Sequence, residues 1–152
     1  GMSFIDMAYL KKSDLKNGTI TYRRRKTGQQ LTVKWEKCME DIIAKYRENT
    51  ATRYLLPIIT NPCSDERTQY RNAICRINVA LKEVAGLAGL NIPLTMHVAR
   101  HCWASVAKSK NIPLSVISEG MGHDSEETTR IYLASLDTSV VDKANSLILK
   151  DF

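Results

Sequence analysis

The residues with the clearest capacity for chemistry lie between positions 95 and 132 of the 152-residue chain. All three histidines are there, as His97, His101 and His123, and Arg100 lies between the first two. At about 100° per helical residue, His97 and Arg100 lie about 60° apart, so both can act on one object. A guanidinium matches two non-bridging phosphate oxygens, and an imidazole can donate to a third. The pattern therefore favours a phosphodiester.

Tyr132 adds a candidate nucleophile to this group. It follows His123 by nine residues on a short polar segment, whereas packing accounts for the other five tyrosines. A tyrosine hydroxyl can attack phosphorus and form a covalent phosphotyrosine, which preserves the bond energy for a later reversal. Positioning and charge neutralisation would do most of the work, so we predict phosphoryl transfer without a metal or other cofactor.

A helix capped by Thr95 must position the first of these residues. Its predicted core face carries four residues: Ala99, Cys102, Trp103 and Val106. His97 and Arg100 lie on a flank turned away from that face. His101 points further round the helix, so we expect it to have a supporting or structural role.

The formal net charge of +6 is concentrated in the first part of the chain. Residues 1–60 carry twelve Lys/Arg and six Asp/Glu, whereas residues 61–152 carry ten of each. β-Branched segments at 19–22 and 31–33 predict a hairpin. Four basic residues run into its tip: Arg23, Arg24, Arg25 and Lys26. Because neutralised phosphates release counterions, this block favours a nucleic-acid partner; the alternative is a solvated basic surface.

Helical periodicity dominates the rest of the sequence. It predicts amphipathic helices over residues 35–47 and from about Ser64 to Gly89, and a last helix over about 139–149. Residues 1–10 look like a helix already under way, so we expect its start to be truncated. No repeat or linker divides the chain. We predict one mainly α (α+β) domain over residues 1–152, a helical bundle with a small β-hairpin.

The four cysteines indicate the compartment. Cys38, Cys63, Cys75 and Cys102 are widely spaced without a C-x-x-C pair, which disfavours a zinc knuckle or a redox motif. We expect four reduced, mostly buried thiols in a cytoplasmic protein. No apolar run approaches the roughly 20 residues that span a bilayer, and the first residues do not resemble a secretion signal. We therefore predict no membrane partner.

Taken in order, these segments resemble the boxes of the tyrosine recombinases, also called phage-type integrases. Residues 97–101 resemble the H-x-x-R box, 121–123 the L-G-H box, and 128–132 the T-T-x-x-Y segment. Residues 25–28 resemble the hairpin that carries the family's catalytic lysine. The resemblance covers nearly the whole chain, and three boxes in order are far more specific than any one alone.

The resemblance implies the DNA breaking-rejoining catalytic fold and a site-specific recombinase or integrase of a mobile element. Such an enzyme cuts and rejoins double-stranded DNA through a 3′-phosphotyrosine. By this resemblance Tyr132 is the nucleophile and Lys26 is the general acid on the leaving 5′ oxygen. Three residues would bind and activate the scissile phosphate: Arg100, His97 and His123.

The family also implies an assembly. Its members act as homotetramers on DNA, often with the segment after the nucleophile docked on a neighbouring protomer. For this fragment without DNA we expect a monomer in which the helix at 139–149 packs on its own core.

Two departures from the family pattern bear on activity. The first box, G-L-R-x-S-E-L, aligns with residues 1–7, where Ser3 stands in the position of the arginine. The N-terminal DNA-gripping domain of full-length members is absent from the sequence. We therefore expect weak or no activity from this fragment, and the alternative function is a catalytically inactive DNA-binding regulator with the same fold.

A zinc hydrolase is the remaining alternative. His97, His101 and His123 would be its ligands, since the first two are four residues apart on a helix. The H-E-x-x-H pattern has a glutamate where this chain has Val98, which disfavours such an enzyme.

Overall fold

The structure of the protein, a computed structural model, describes residues 1–46 and 52–134. Within these ranges the helices are α1 (Phe4–Ala8), α2 (Lys37–Ala44), α3 (Glu66–Leu87), α4 (Met96–Ser109), α5 (Leu114–Met121) and α6 (Glu126–Ala134). Between α1 and α2, a 3-10 turn precedes β1 (Leu15–Lys16), β2 (Thr19–Arg23) and β3 (Gln30–Lys34). The strands form an antiparallel sheet in the order β1-β2-β3. The prediction of a mainly helical fold with a small sheet is confirmed, and the helix predicted over 139–149 lies outside the described residues.

The first helix begins inside the chain. Ser3 is the N-cap of α1, and its hydroxyl accepts a hydrogen bond from the Asp6 amide at 3.3 Å. Within the described chain α1 therefore starts after Ser3, which supplies a start signal, and truncation of its start stays a prediction.

The predicted hairpin is formed by β2 and β3. Its register pairs Thr19 with Lys34 and Arg23 with Gln30. Beyond the last pair, the Arg24 amide donates to the Gln29 carbonyl at 2.9 Å, and the Gly28 amide donates to the Arg24 carbonyl at 2.8 Å. These bonds fix the backbone of the hairpin tip.

Two clusters of buried side chains hold the described elements together. The first lies around the sheet and comprises Leu10, Ile20, Tyr22, Leu31 and Leu55. The second joins α4, α5 and α6 and comprises Ala104, Ile117, Met121 and Leu133. Each buried aliphatic or aromatic side chain contributes about 1.5–3 kcal/mol. The first cluster therefore anchors the hairpin, and the second anchors the three helices that carry the histidines and Tyr132.

The core face of α4 differs from the predicted one. Arg100 and Ala104 are its buried residues, whereas Trp103 and Val106 are 41% and 48% exposed. The helix turns Arg100 inward because the guanidinium donates to the Met121 carbonyl at 2.6 Å. The predicted face was wrong because hydrophobic periodicity assumes that a charged side chain points to solvent.

The apolar stripes predicted on α2 and α3 are only partly covered. No residue of α2 is buried, and Ile42 is 53% exposed. Along α3 the fully buried residues are Ala73 and Ala85, and Val84 is 49% exposed. The stripe on α3 therefore contributes less to the core of the described residues than its periodicity predicts.

The prediction of mostly buried thiols is wrong. Cys38, Cys63, Cys75 and Cys102 are all free and exposed. The prediction followed the general tendency of cysteine to be buried, but these positions lie in a loop or on the outer faces of α2, α3 and α4. No helix in the described part of the chain is long and apolar enough to cross a membrane.

Gly122 ends α5 in the left-handed conformation, with φ 60° and ψ 47°. A Cβ at this position would lie 2.4 Å from Cδ of Arg24 and 2.9 Å from Cδ1 of Leu31. Gly28 also has a positive φ, of 74°, but a Cβ there would meet nothing within 4 Å. Substitutions at the two glycines can therefore be compared to separate the cost of backbone strain from the cost of side-chain crowding.

We expect Gly122→Ala to lower the free energy of unfolding more than Gly28→Ala does. The change at Gly28 adds backbone strain of about 1–2 kcal/mol. The change at Gly122 adds the same strain and a further ~1–3 kcal/mol, because the new methyl group must displace buried Arg24. Denaturant unfolding of both variants measures the difference, and equal losses would contradict the close packing of Arg24 on Gly122.

Candidate active site

Four segments of the chain meet around a cleft of about 590 Å³. Its lining includes all five residues predicted to be catalytic: Lys26, His97, Arg100, His123 and Tyr132. Ser3, Arg24 and His101 also line it. Residues that are far apart in the sequence, such as Ser3, Lys26 and Tyr132, thus face one space.

Arg100 is the buried cation contributed by α4. It is 8% exposed, and its Nη1 donates to the Gly1 carbonyl while its Nη2 donates to the Met121 carbonyl at 2.6 Å. Burial is the main factor that lowers the pKa of Arg100, followed by the charge of Arg24. Arginine nevertheless stays protonated because its ordinary pKa is far above neutrality.

His123 follows the turn at the end of α5 and is held by two contacts. Its Nε2 lies 3.4 Å from Nη2 of Arg100, and its Nδ1 lies 2.8 Å from the hydroxyl of Thr129, which is fully buried. Since a guanidinium only donates, Nε2 accepts, and the ring proton on Nδ1 is donated to Thr129. Burial first, then the charges of Arg100, Arg24 and Lys26, lower the pKa of His123. The resting imidazole is therefore neutral at pH 7.

His101 lies in the cleft and contacts Tyr132 directly. The two rings stack with their centroids 3.6 Å apart and their planes at 4°. The Nε2 atoms of His101 and His97 are 2.9 Å apart, so at least one of these rings is neutral. Burial, followed by His97 and Arg100, lowers the pKa of His101. Although it was expected to point further round the helix, His101 faces the cleft, and its stacking on Tyr132 is compatible with the predicted supporting role.

Tyr132 lies among three imidazole rings. Besides the stacked His101, the His97 centroid is 6.0 Å from its ring and the His123 centroid is 5.6 Å from it, both at steep angles. Burial raises the pKa of the Tyr132 hydroxyl, and the charge and hydrogen bonding of Arg100 oppose this. The phenol is thus half-buried beside a cation that favours its ionised form.

The basic residues of the hairpin tip have different environments. Arg23 and Lys26 are exposed, and Arg23 Nη1 donates to the Gly28 carbonyl at 3.2 Å. The Arg25 guanidinium lies 3.7 Å above the ring of Tyr9. These three exposed cations remain candidates for contact with a polyanion.

Arg24 does not belong to that exposed surface. It is 6% exposed, so it does not lie on the exposed surface of the hairpin, and its role as a DNA contact stays a prediction. Its Nε lies 3.5 Å from Oδ2 of Asp6, and its Nη1 donates to the Gly122 carbonyl. The strand gives the reason: Ile20, Tyr22 and Arg24 alternate along one face, and that face is buried.

Asp6 was not singled out in the sequence but connects α1 to the hairpin. It is 4% exposed, and it accepts from the Ser3 hydroxyl at 2.5 Å and from the Arg25 amide at 2.9 Å. Thr129 was quoted only as part of the T-T-x-x-Y segment. An acid one helical turn after the Ser3 cap and a threonine one turn before Tyr132 are the sequence signals that could have identified them.

Within residues 1–46 and 52–134, no three His, Cys, Asp or Glu side chains are grouped so that they could hold a metal ion. The three histidines instead contact Arg100, Thr129, Tyr132 and one another.

The fold is similar to solved recombinase structures. A crystal structure of XerA recombinase matches with a TM-score of 0.68 at 22% identity, over 95% of this chain and 52% of that chain. A XerH site-specific recombinase bound to palindromic difH substrate, in a post-cleavage complex, matches with a TM-score of 0.65 at 22% identity, over 93% of this chain and 40% of that chain. At these identities the likeness shows the fold, and the chain spans about half or less of each protein.

No curated protein matches the chain. The model of the phage integrase family matches residues 3–139, which include the cleft residues from Ser3 to Tyr132. The ordered boxes, the shared fold and this match agree, and the chain belongs to the phage integrase family of tyrosine recombinases.

Proposed function

We propose that this chain is the catalytic domain of a site-specific DNA recombinase that cuts and rejoins strands through a 3′-phosphotyrosine. The observation that carries the proposal is the convergence of a half-buried tyrosine, a buried arginine, histidines and a lysine on one cleft. The chain spans only part of the length of the recombinases it matches. Activity of the whole protein is therefore part of the proposal.

In the proposed reaction, the scissile phosphate lies against Arg100, His97 and His123. The guanidinium binds non-bridging oxygens and neutralises charge that develops as phosphorus is attacked. The Tyr132 oxygen forms a bond to phosphorus as the bond to the 5′ oxygen breaks. The phenolic proton passes to an adjoining neutral imidazole, and Lys26 donates a proton to the leaving 5′ oxygen. Attack by a 5′ hydroxyl reverses these steps and rejoins a strand.

Double-stranded DNA is the proposed substrate. The net charge of +6 arises in the first 60 residues, and Arg23, Arg25 and Lys26 are exposed beside the cleft. The matched XerH recombinase structure is a complex with palindromic difH substrate. Homotetramer formation on DNA is proposed from the family resemblance.

A catalytically inactive DNA-binding regulator is the second candidate. Ser3 favours it, because the first-box arginine would otherwise contribute to phosphate binding from α1. Such a protein would bind a DNA site without forming a covalent link. The two candidate functions therefore differ in whether a covalent protein–DNA complex forms.

We expect Tyr132→Phe to abolish covalent DNA trapping while DNA affinity changes by less than about threefold, since the phenyl ring retains the stack on His101. The full gene product that carries this chain is incubated with nicked duplexes bearing a site selected from random DNA, and the covalent complex is resolved on a denaturing gel. Tyr46→Phe is the control, because Tyr46 is exposed and distant in sequence from the boxes.

Two results would count against the proposal. Trapping by Tyr132→Phe would exclude this nucleophile, and binding without trapping by the parent protein would favour the regulator.

We expect Lys26→Ala to slow cleavage of ordinary DNA by about 10²–10⁴-fold, the usual contribution of a general acid. A substrate with sulfur in place of the bridging 5′ oxygen should largely restore the rate, because a thiolate leaves without a proton. Single-turnover trapping on both substrates measures the effect. Arg23→Ala, at an exposed position of the same hairpin, and Arg100→Lys should show no rescue by sulfur. An equal loss of cleavage rate on the two substrates would show that Lys26 is not the general acid.

A further inference from the structure

Arg24 is a buried cation to which the proposed reaction has assigned no role. Its side chain is 6% exposed, yet it lines the same cleft as Arg100 and His123. Removing an ion from water costs several kcal/mol unless partners compensate. Some interaction must therefore offset the cost of burying this charge beside the reactive residues.

The guanidinium of Arg24 is anchored on one side. Nη1 donates to the Gly122 carbonyl, and Nε lies 3.5 Å from Oδ2 of Asp6. Among the described residues, the hydrogen bond shown for the Arg24 guanidinium is that of Nη1, and Nε has no hydrogen-bond partner there. Since guanidinium is a planar fork with several donors, this anchoring holds the group while leaving a donor for a ligand in the cleft.

Arg24 and Arg100 approach the same turn from different elements. Arg100 donates to the Met121 carbonyl at 2.6 Å, and Arg24 donates to the next carbonyl, that of Gly122. The charge of Arg24 also contributes to lowering the pKa values of Arg100 and His123. Like charges held this close repel, and an anion bound between them would relieve the repulsion.

Ser3 lies on the same side of the cleft as Arg24. The Ser3 hydroxyl donates to Oδ2 of Asp6 at 2.5 Å, and that same oxygen faces Nε of Arg24. Position 3 and Arg24 thus converge on one carboxylate, the former from the start of α1 and the latter from the hairpin. A cation missing at position 3 can therefore be supplied from the end of β2.

We propose that Arg24 is the second phosphate-binding arginine of this site, and that it replaces from the hairpin the cation that Ser3 lacks. The inference rests on the proposed function, because it requires a phosphodiester in the cleft. Arg100 would hold the phosphate from α4 and Arg24 from the opposite, hairpin side. The carboxylate of Asp6 would orient Arg24 without touching the ligand.

The test determines which single phosphate of bound DNA interacts with each arginine. In a Tyr132→Phe background, affinities are measured for a set of duplexes in which one phosphate at a time is replaced by an uncharged methylphosphonate. We expect Arg100→Lys and Arg24→Lys to weaken binding of unmodified DNA by about tenfold each, the effect of a charged hydrogen bond. Both losses should disappear when the same single phosphate is neutralised. Arg23→Lys, at the exposed neighbouring position, is the control and should not couple to that phosphate.

Arg24→Lys keeps a cation opposite Asp6, and thermal melting checks that the variant is folded. Arg24→Gln combined with Asp6→Asn removes both charges together and serves as the second variant. If folded variants at Arg24 weaken all duplexes equally, or couple to a phosphate other than that of Arg100, the inference is wrong. Because this is a binding measurement, it distinguishes failure of the Arg24 assignment from failure of the proposed reaction, which would be binding without covalent trapping by the parent protein.

Discussion

The buried carboxylate of Asp6 is the interaction on which the arrangement of the cleft depends. It accepts from the Ser3 hydroxyl and the Arg25 amide and faces the Arg24 guanidinium, so it joins α1 to the tip of the β2–β3 hairpin. Loss of one partner of such a buried pair leaves an uncompensated charge, with a cost of about 3–5 kcal/mol. The carboxylate therefore fixes the hairpin tip, and with it Lys26, beside α4 and α6.

The turn at the end of α5 is the second requirement. Carbonyls in the last turn of a helix lack intrahelical partners and carry partial negative charge, which favours nearby cations. Arg100 and Arg24 satisfy the carbonyls of Met121 and Gly122, respectively. Gly122 is needed because a side chain there would overlap Arg24. The resting structure thus keeps two buried cations at the cleft, held by bonds to main-chain carbonyl groups.

The sequence was sufficient to predict the fold class and the residues of the cleft for a specific reason. The boxes at 97–101, 121–123 and 128–132 each lie within a short segment, and α4, α5 and α6 pack on one another through the cluster that contains Ala104 and Met121. The hairpin could likewise be predicted from the β-branched residues of its two strands. These features depend on local spacing, which a single sequence contains.

Some errors arise from tertiary contacts that local spacing does not contain, and others from local signals that were given too little weight. The face of α4 was misassigned because Arg100 is buried by bonds to main-chain carbonyls, and hydropathy counts such a residue as exposed. Arg24 was grouped with Arg23 and Arg25 by charge, although period-two alternation from Ile20 through Tyr22 places it on the buried face. His101 was predicted to point further round the helix because an idealised helix angle takes no account of side-chain length. Its ring instead reaches Tyr132 and stacks on it.

These errors bear on how a missing box residue is interpreted. A phosphate responds to the positions of donors and charges around it, and it does not distinguish an arginine on α1 from one at the end of β2. Ser3 and Arg24 meet at one carboxylate oxygen, so under the proposal a cation from the hairpin can take the place of one from α1. Serine at position 3 is then compatible with a complete set of cations. The absence of arginine from the first box is, for this reason, a weaker argument for lost catalysis than the sequence alone implies.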